Sequence, residues 1–362
     1  MLNTFYSSSS SSGFERLATA GALANLRGSI PSIHLESTFD SAALQSSRSS
    51  LLLDAYFIHY GFDMVQRYHH DMKYFFGSVE MQSEESYSLA MHVWQSPKPQ
   101  ACVFVAHGLF DHMGLYLQLV HYLLDNSYTV VAMDFPGHGL SSGPIGSIKD
   151  FKDYGIAVDL AKDFIVKNKS ILLVNDKGRD IPCFAVGQST GCAALMRYFF
   201  LNSEKDSDVQ SRSEQLFSRI ALVAPLVRPK SWWTVSISYM VFSKFVPSVA
   251  RNFTKNSHDR KFTKFISKHD PLQPRKISVE WVGSMIRWVK TFPDFDPQDV
   301  KVLIVQGTGD GTVDYNYNIP AIKEKFINTE FEFVERAKHH FVNESDAYRL
   351  KGFAYIKAFF SS

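Results

Sequence analysis

The stretch from Ile181 to Gly191 places a serine where covalent chemistry is expected. Its sequence is Ile-Pro-Cys-Phe-Ala-Val-Gly-Gln-Ser-Thr-Gly, so Ser189 has one glycine two residues before it and another two residues after it. The apolar residues up to Gly187 predict a buried strand, and residues 192–201, which lack glycine and proline, predict a helix. A Gly-x-Ser-x-Gly pattern between a strand and a helix is typical of a nucleophile elbow, which exposes the serine hydroxyl above a sheet. An ordinary Gly-Ser turn is the alternative interpretation.

A nucleophilic serine requires a histidine that takes its proton and a carboxylate that orients the histidine. In sheets with a nucleophile elbow, the acid follows the serine in the chain and the histidine comes last. Two aspartates, Asp310 and Asp314, follow a predicted strand that ends at Gly307, and the adjacent histidines His339 and His340 lie further on. Chain order alone leaves both pairs open.

Strands and helices alternate around these residues. The predicted buried strands lie at 101–106, 128–133, 181–187, 219–227, 301–307 and 330–334. The predicted helices lie at 51–70, 115–125, 151–166, 192–201 and 345–360. Two alternating runs, 72–79 and 87–95, predict an antiparallel hairpin that enters the sheet. The pattern predicts an α/β fold with a mostly parallel sheet, helices on both faces and the chemistry at the carboxyl ends of the strands.

Length and charge limit what the chain can do. Its 362 residues suffice for one large α/β domain with an inserted subdomain. The formal net charge of +2 argues against nucleic acid as a partner. No apolar run reaches about 18 residues, so no membrane-spanning helix is predicted.

The N-terminal region and the cysteines indicate a cytoplasmic protein. Residues 1–50 are rich in serine and lack the charged and apolar regions of a secretory signal, so we expect a flexible tail there. The cysteines Cys102, Cys183 and Cys192 fall in predicted core elements and show no CxxC spacing. They suit small buried hydrophobic residues in a reducing compartment.

Three motifs occur in order at the ends of predicted strands. They are His107-Gly-Leu-Phe-Asp-His-Met-Gly-Leu-Tyr116, Asp134-Phe-Pro-Gly-His-Gly and the elbow Gly187-Gln-Ser-Thr-Gly191. Together they resemble the monoacylglycerol lipase and lysophospholipase branch of the α/β-hydrolases, which is also grouped with the serine aminopeptidase-like hydrolases. The resemblance covers about residues 72–360 and implies the α/β-hydrolase fold.

The resemblance also implies which acid and which base act with Ser189. Asp310 lies in the glycine-rich turn where the family's acid sits, whereas Asp314 is better placed to cap the next helix. The block 335–344 resembles the family's late Ala-Arg-His-Glu block, and its alignment places the base at His339. His340 then takes the position usually held by Glu and remains the alternative.

An oxyanion hole is implied in the same way. In the family it is built from backbone amides, which correspond here to those of Leu109 and Thr190. His107, Asp111 and His112 could instead be metal ligands, but no matching cluster of carboxylates and histidines accompanies them. We expect these three side chains to brace the oxyanion loop, and we expect neither a metal nor a cofactor.

The alternation of strands and helices stops between residues 228 and 298. We therefore expect a cap inserted between two parts of the core, 51–227 and 299–362. Four of the five tryptophans lie in this span, together with thirteen Lys and Arg against five Asp and Glu, an excess of +8. A basic, aromatic cap suits an acyl chain beneath it and an anionic membrane outside it. Alternatively, the aromatic residues form the core of the cap and the lysines its solvated face.

A dense basic stretch of the cap is the expected membrane contact. Its members are Lys255, Arg260, Lys261, Lys264 and Lys268, interleaved with Phe262 and Phe265. We expect Trp232 and Trp233 to sit at the same interface. Such contact would be peripheral and would weaken as salt is added.

Two departures from the family affect the expected substrate. Leu115 stands where monoacylglycerol lipases usually have an Arg that helps bind glycerol, and Gln188 replaces the usual His of the elbow. The resemblance implies a serine hydrolase that cleaves carboxylic esters of acyl lipids, such as lysophospholipid or monoacylglycerol, through an acyl-enzyme. The alternatives are a carboxylesterase for small non-lipid esters, a serine aminopeptidase and a non-catalytic binding protein.

Overall fold

Eight strands form one sheet at the centre of the structure. The computed structural model describes residues 13–36, 48–204 and 215–362. Within them the strands are β1 (Lys73–Gln82), β2 (Ser86–Gln95), β3 (Ala101–Ala106), β4 (Tyr128–Met133), β5 (Cys183–Gln188), β6 (Phe217–Val223), β7 (Ser248–Ala250), β8 (Lys276–Ser278), β9 (Gln298–Gly307) and β10 (Phe326–Val334). The sheet order is β1-β2-β4-β3-β5-β6-β9-β10. The β1–β2 and β2–β4 pairs are antiparallel, and the other neighbours are parallel.

Helices follow most of the parallel strands. In the described residues they are α1 (Gly13–Leu17), α2 (Ala20–Ser29), α3 (Arg48–Tyr60), α4 (Phe62–Tyr68), α5 (Leu117–Asp125), α6 (Phe151–Lys167), α7 (Lys169–Leu172), α8 (Thr190–Glu204), α9 (Trp232–Phe242), α10 (Arg260–Lys268), α11 (Val279–Thr291), α12 (Tyr315–Lys325) and α13 (Asp346–Ser361). The predicted α/β fold is confirmed, as are the hairpin β1–β2 and the alternation that follows it.

The core lies on both faces of the sheet. All six residues of β3, β4 and β5 are buried. Along β3 the side chains alternate between two hydrophobic clusters, so that Phe104 belongs to one and its neighbour Val105 to the other. A strand buried on both faces needs apolar residues at every position, which explains the unbroken apolar runs in the sequence.

Two strand ends differ from the prediction for local reasons. The strand before the elbow begins at Cys183 because Pro182 has no amide hydrogen to donate to a neighbour. The next strand, β6, ends at Val223 and not at 227, because Ala224 has a left-handed φ of +48° that turns the chain out of the sheet.

The prediction of a flexible tail over residues 1–50 is wrong for residues 13–36. These residues form α1 and α2, and Phe14 of α1 is completely buried. The Phe14 ring packs edge-on against Tyr56 and Tyr60 of α3, with ring centroids 5.7 Å apart in both pairs. The serine-rich composition predicted disorder, but burial of these few apolar side chains on α3 orders the segment. The remainder of the predicted tail before residue 48 lies outside the described residues.

Polar contacts also fix this N-terminal segment to the core. Arg27 of α2 donates two hydrogen bonds to the carbonyl oxygen of Gly139, at 3.1 and 2.7 Å. Ser32 forms a parallel bridge with Ser78 of β1. The segment therefore reaches the turn that follows β4, beside the predicted site.

The residues between β6 and β9 include the span predicted as the cap, and that name is kept for them. They contain α9, α10 and α11 and the antiparallel pair β7–β8. Trp281 and Trp288 of α11 are buried, whereas α9 buries none of its side chains. Phe262 and Phe265 of α10 also point into the core, so the expectation that they interleave with the lysines at an outer surface is wrong. None of the described helices is both long and apolar enough to span a membrane.

Candidate active site

The elbow at Ser189 depends on close backbone approaches. Ser189 itself has a left-handed φ of +55°, which an L-residue adopts only under strain. A Cβ on Gly191 would lie 2.2 Å from the carbonyl oxygen of Ala106, and one on Gly187 would lie 2.8 Å from the Cys192 amide nitrogen. Both glycines are therefore required for the strand β5 to turn into α8 beneath the serine.

Ser189, His339 and Asp310 form a hydrogen-bonded chain. The Oγ atom of Ser189 lies 3.0 Å from Nε2 of His339, and Nδ1 of His339 lies 2.8 Å from Oδ2 of Asp310. Ser189 is held at the end of β5, Asp310 in the turn after β9, and His339 in the loop after β10. The structure thus brings together three residues that lie as much as 150 positions apart.

Asp310 is anchored as an anion. Its Oδ1 accepts the Thr312 and Val313 amides at 2.7 and 3.2 Å, and its Oδ2 accepts Nε2 of Gln306 at 3.1 Å. Burial tends to raise the pKa of Asp310, but His339 and these donors outweigh burial and leave the pKa below its usual value. Burial tends to lower the pKa of His339, but the Asp310 carboxylate outweighs it and raises that pKa above its usual value. The carboxylate therefore favours the imidazolium form of His339.

The alternative acid and base lie elsewhere. Asp314 occupies the N-cap position of α12, and its Oδ2 accepts two hydrogen bonds from Arg228, at 3.0 and 2.7 Å. Nε2 of His340 lies 2.9 Å from Oδ1 of Asp111. Of each pair that the chain order left open, the structure joins only Asp310 and His339 to the serine.

Leu109 and Thr190 line the same cavity as Ser189. Thr190 is the first residue of α8, where a helical amide has no partner within its own helix. Gly108 lies against the elbow, because a Cβ there would be 3.4 Å from that of Ser189. Both predicted oxyanion donors are therefore beside the serine.

The loop that carries Leu109 is braced by buried polar side chains. The Gly108 amide donates to the Tyr116 hydroxyl at 2.9 Å, and that hydroxyl donates to Oδ2 of Asp111 at 2.9 Å. His107 accepts the Phe135 amide on Nε2 at 2.9 Å, which leaves Nδ1 to donate to the Gly108 carbonyl at 2.8 Å. Burial lowers the pKa of His107 to about 3, so the ring is neutral. The predicted bracing role of this loop's polar residues is confirmed.

His112 braces the loop from the side of the cap. Its Nε2 lies 3.1 Å from Oδ2 of Asp270, which is almost fully buried. Oδ1 of Asp270 accepts the Tyr60 hydroxyl at 2.6 Å, and Gln273 donates through Nε2 to the Phe110 carbonyl at 3.0 Å. This link could not be predicted from the sequence, because Tyr60 and Asp270 are 210 residues apart and belong to no motif.

Gln188 has a structural function in the elbow. Its Oε1 accepts the amide of Val342 at 2.9 Å. The residue before the nucleophile thereby ties the elbow to the loop that carries His339. Leu115 is fully buried in the core.

The described residues contain one cluster whose side chains could hold a metal ion, formed by His69, His121 and Asp125. Nε2 of His69 lies 2.7 Å from Nδ1 of His121, and Nε2 of His121 lies 3.4 Å from Asp125. None of the three lines the cavity at Ser189. Sequence spacing does not reveal this cluster, because His69 is the C-cap residue of α4 and the other two residues lie in α5.

The cavity in front of Ser189 has a volume of about 280 Å³. One set of lining residues is apolar and comes from the cap and the loops beneath it: Leu226, Val235, Ile277, Trp281, Val282 and Met285. Another set is polar and comes mainly from one segment of the cap: Arg251, Asn252, Thr254 and Asn256. The cavity can therefore receive a molecule with an apolar part and a polar part.

The sheet order and the serine-bearing elbow define an α/β-hydrolase. A solved monoglyceride lipase from Saccharomyces cerevisiae has the same fold, with a TM-score of 0.62 at 16% identity, over 77% of this chain and 93% of that one. Residues 97–346 match the family described as "Serine aminopeptidase, S33". The match spans more than half of the sequence, so the chain belongs to this family of hydrolases.

Two relatives align with most of their own length. A monoglyceride lipase homolog from Monkeypox virus is 23% identical over 256 residues, which are 68% of this chain and 84% of that protein. Phospholipase YtpA from Bacillus subtilis is 24% identical over 231 residues, which are 62% of this chain and 81% of that protein.

Proposed function

We propose that the protein hydrolyses esters that carry a single acyl chain, through an acyl-enzyme on Ser189. The observation that carries this proposal is the hydrogen-bonded chain from Ser189 through His339 to Asp310, at 3.0 and 2.8 Å, at the base of a partly apolar cavity. The names of the relatives, monoglyceride lipase and phospholipase, agree with such a substrate.

The mechanism follows from the positions of these atoms. His339 takes the proton of Ser189 as Oγ attacks the ester carbonyl, and the amides of Leu109 and Thr190 stabilise the oxyanion. His339 then protonates the leaving alcohol, and the acyl group remains on Ser189. A water molecule, deprotonated by His339, attacks the acyl-enzyme and releases the carboxylic acid. Asp310 stabilises the imidazolium form in both halves of the cycle.

The cavity supports one acyl chain per substrate. Its volume of about 280 Å³ lies just below the usual range for ligand sites, about 300–1,000 Å³. A monoacylglycerol or lysophospholipid presents one chain, whereas a triacylglycerol must place three. The apolar set of lining residues suits the chain, and the polar set suits the alcohol part.

A serine aminopeptidase is the rival within the same family. It would need a carboxylate that receives the ammonium group of its substrate. Asp111 is the one carboxylate among the described cavity-lining residues, and both of its oxygens are hydrogen-bonded, to His340 and Tyr116. The charged residue of the polar set is a cation, Arg251. Ester substrates are therefore favoured over peptides with a free amino terminus.

We also propose that α9 and the turn after it contact a lipid surface. Trp233, Met240 and Phe245 expose 74%, 71% and 79% of their area, which is unusual for neighbouring large apolar residues. Val235 of the same helix lines the cavity, and Lys244 in the turn is exposed. A helix that borders the acyl site on one face and exposes apolar side chains on the other can take its substrate from an anionic membrane.

Hydrolysis of defined lipids tests the proposed function. The purified protein should release fatty acid from monoacylglycerol or lysophospholipid much faster than from a triacylglycerol with the same chains. Ser189→Ala should abolish release without loss of folding, because Oγ faces the cavity and fills no packing space. Release by Ser189→Ala at the wild-type rate would refute the proposal, as would equal rates on substrates with one and three chains.

A further inference from the structure

The polar end of the cavity contains a cation with unused hydrogen-bond donors. Nη1 of Arg251 donates to Oε1 of Gln273 at 2.7 Å and to the Pro274 carbonyl at 3.3 Å. Among the described residues, Nε and Nη2 of Arg251 have no hydrogen-bond partner, and no carboxylate oxygen lies within 4.0 Å of the guanidinium. The protein therefore fixes the guanidinium group through Nη1, and the edge formed by Nε and Nη2 is available to a ligand.

Aromatic rings hold this guanidinium in place. It lies 4.1 Å from the centroid of Phe110 and 4.4 Å from that of Phe253. Stacking on two rings and two anchored hydrogen bonds remove most of the freedom of a long side chain, so little further entropy is lost when a ligand binds. Burial lowers the pKa of Arg251 to about 10, so the group stays charged at neutral pH.

The nearby carboxylates do not neutralise Arg251 by contact. Asp111 is bonded to His340 and Tyr116. Asp270 accepts the Tyr60 hydroxyl and the Leu272 amide on Oδ1, and it contacts His112 and Gln273 through Oδ2. These anions lower the cost of burying the cation, while its outer edge lacks a partner of opposite charge.

Arg251 lines the same cavity as Ser189 and His339. The leaving alcohol must approach Nε2 of His339, because that atom gives it a proton. The segment 251–256 begins at Arg251 and ends where the Asn256 carbonyl accepts the amide of His340, at 2.9 Å. Arg251 also stacks on Phe110, the residue after the predicted oxyanion donor Leu109. The guanidinium thus borders the space between the oxyanion loop and the base.

We propose that Arg251 binds a phosphate group on the alcohol part of the ester. The preferred substrates are then single-chain acyl esters with a phosphate-bearing headgroup, and hydrolysis yields a fatty acid and a water-soluble phosphorylated alcohol. This inference rests on the ester hydrolysis proposed at Ser189. A planar guanidinium with two adjacent free donors matches a phosphate, which accepts parallel hydrogen bonds. A neutral glycerol would leave this charge without a counterion.

Three substrates with one acyl chain in common test the proposal: monoacylglycerol, lysophosphatidic acid and lysophosphatidylcholine. We expect wild-type kcat/KM to be higher for the two phosphate-bearing lipids. Arg251→Gln should reduce the ratio of kcat/KM for lysophosphatidic acid to that for monoacylglycerol by roughly tenfold or more, mainly through KM. Arg251→Lys keeps the charge but loses the fork, so it should restore part of this ratio.

Arg275→Gln is the matched control. Arg275 lies 5.0 Å from the same Phe253 ring, but it is exposed and does not line the cavity at Ser189. Its replacement should leave the substrate ratio unchanged. Labelling of Ser189 by a fluorophosphonate in each variant shows whether the active site is still assembled. If Arg251→Gln is not labelled and is therefore misfolded, the substrate ratio of Arg251→Lys tests the proposal in its place.

Each outcome of this experiment has a definite meaning. An unchanged substrate ratio in Arg251→Gln, or an equal change in Arg275→Gln, overturns the proposal while ester hydrolysis stands. Hydrolysis of none of the three lipids by the wild-type protein refutes the proposed function itself. Inorganic phosphate should inhibit only at millimolar concentrations, because it lacks the acyl chain. Inhibition at micromolar concentrations would assign Arg251 to free phosphate and would also overturn the proposal.

Discussion

Adjacent residues of the same type have different environments at this site. His339 lies between Ser189 and Asp310, whereas its neighbour His340 points at Asp111 and packs on the ring of Phe262, 4.5 Å away. An assignment that is wrong by one position would therefore take His340, which contacts Asp111, for the base. Functional assignment by residue type alone would therefore fail here, and hydrogen-bond geometry is needed.

Single substitutions should show by their effect on activity which histidine is the base and which aspartate is its partner. His339→Ala or Asp310→Ala should lower kcat by on the order of 10³ or more, as loss of a triad residue does. Asp314→Asn should retain most activity, because that carboxylate is bonded to Arg228. His340→Ala should have a smaller effect than His339→Ala, exerted through the oxyanion loop. Initial rates on a short soluble ester give the comparison, and a larger loss from His340→Ala would show that His339 is not the base.

The pH dependence should report the pKa of His339. The base acts only when neutral, and Asp310 raises its pKa above the ordinary value of 6.5 despite burial. We expect kcat/KM to fall as the pH decreases through this raised pKa. In Asp310→Asn the charge is lost, so the same acid limb should move to lower pH. A limb that stays in place in this variant would indicate that another group controls it.

At the scale of secondary structure, the elbow depends on contact between backbones. A Cβ on Gly191 would lie 2.2 Å from the Ala106 carbonyl oxygen, which β3 holds in the sheet. Gly191→Ala should therefore reduce the free energy of unfolding by about 3 kcal/mol or more, at the upper end of overpacking effects. Gly21→Ala in α2 is the control, since no atom lies within 4 Å of the added Cβ, and it should stabilise by up to about 1 kcal/mol. Denaturant unfolding of both variants measures the difference, and equal stabilities would contradict this view of the elbow.

The sequence predicted the elements whose residues repeat a simple pattern. Buried strands such as β3 and β4 are unbroken apolar runs, and the elbow has its glycines at fixed spacing, so both were found. The N-terminal helices were missed because their stability comes from contacts with α3, which composition does not reveal. Arg251 was missed for a similar reason, since only the folded cap brings it to the cavity of Ser189.

The whole molecule combines an apolar surface on α9 with exposed cations on α10. Trp233→Ser with Phe245→Ser should weaken binding to both neutral and anionic vesicles, because it removes exposed apolar area. Lys261→Glu with Lys264→Glu should weaken binding to anionic vesicles only, and mainly at low salt, since each cation contributes about 1 kcal/mol near such a surface. Sedimentation with the two kinds of vesicle separates the effects. If the wild-type protein binds neither kind of vesicle, the proposed lipid contact is refuted.

Ser189 should become acylated when the protein hydrolyses an ester. Rapid mixing with a p-nitrophenyl ester should give a burst of about one p-nitrophenol per protein molecule, followed by slower turnover, because hydrolysis of the acyl-enzyme is a separate step. Acid quenching during the burst, followed by proteolysis and mass spectrometry, should find the acyl group on the peptide that contains Ser189. A burst in the Ser189→Ala variant, or an acyl group on any other residue, would show that Ser189 is not the nucleophile.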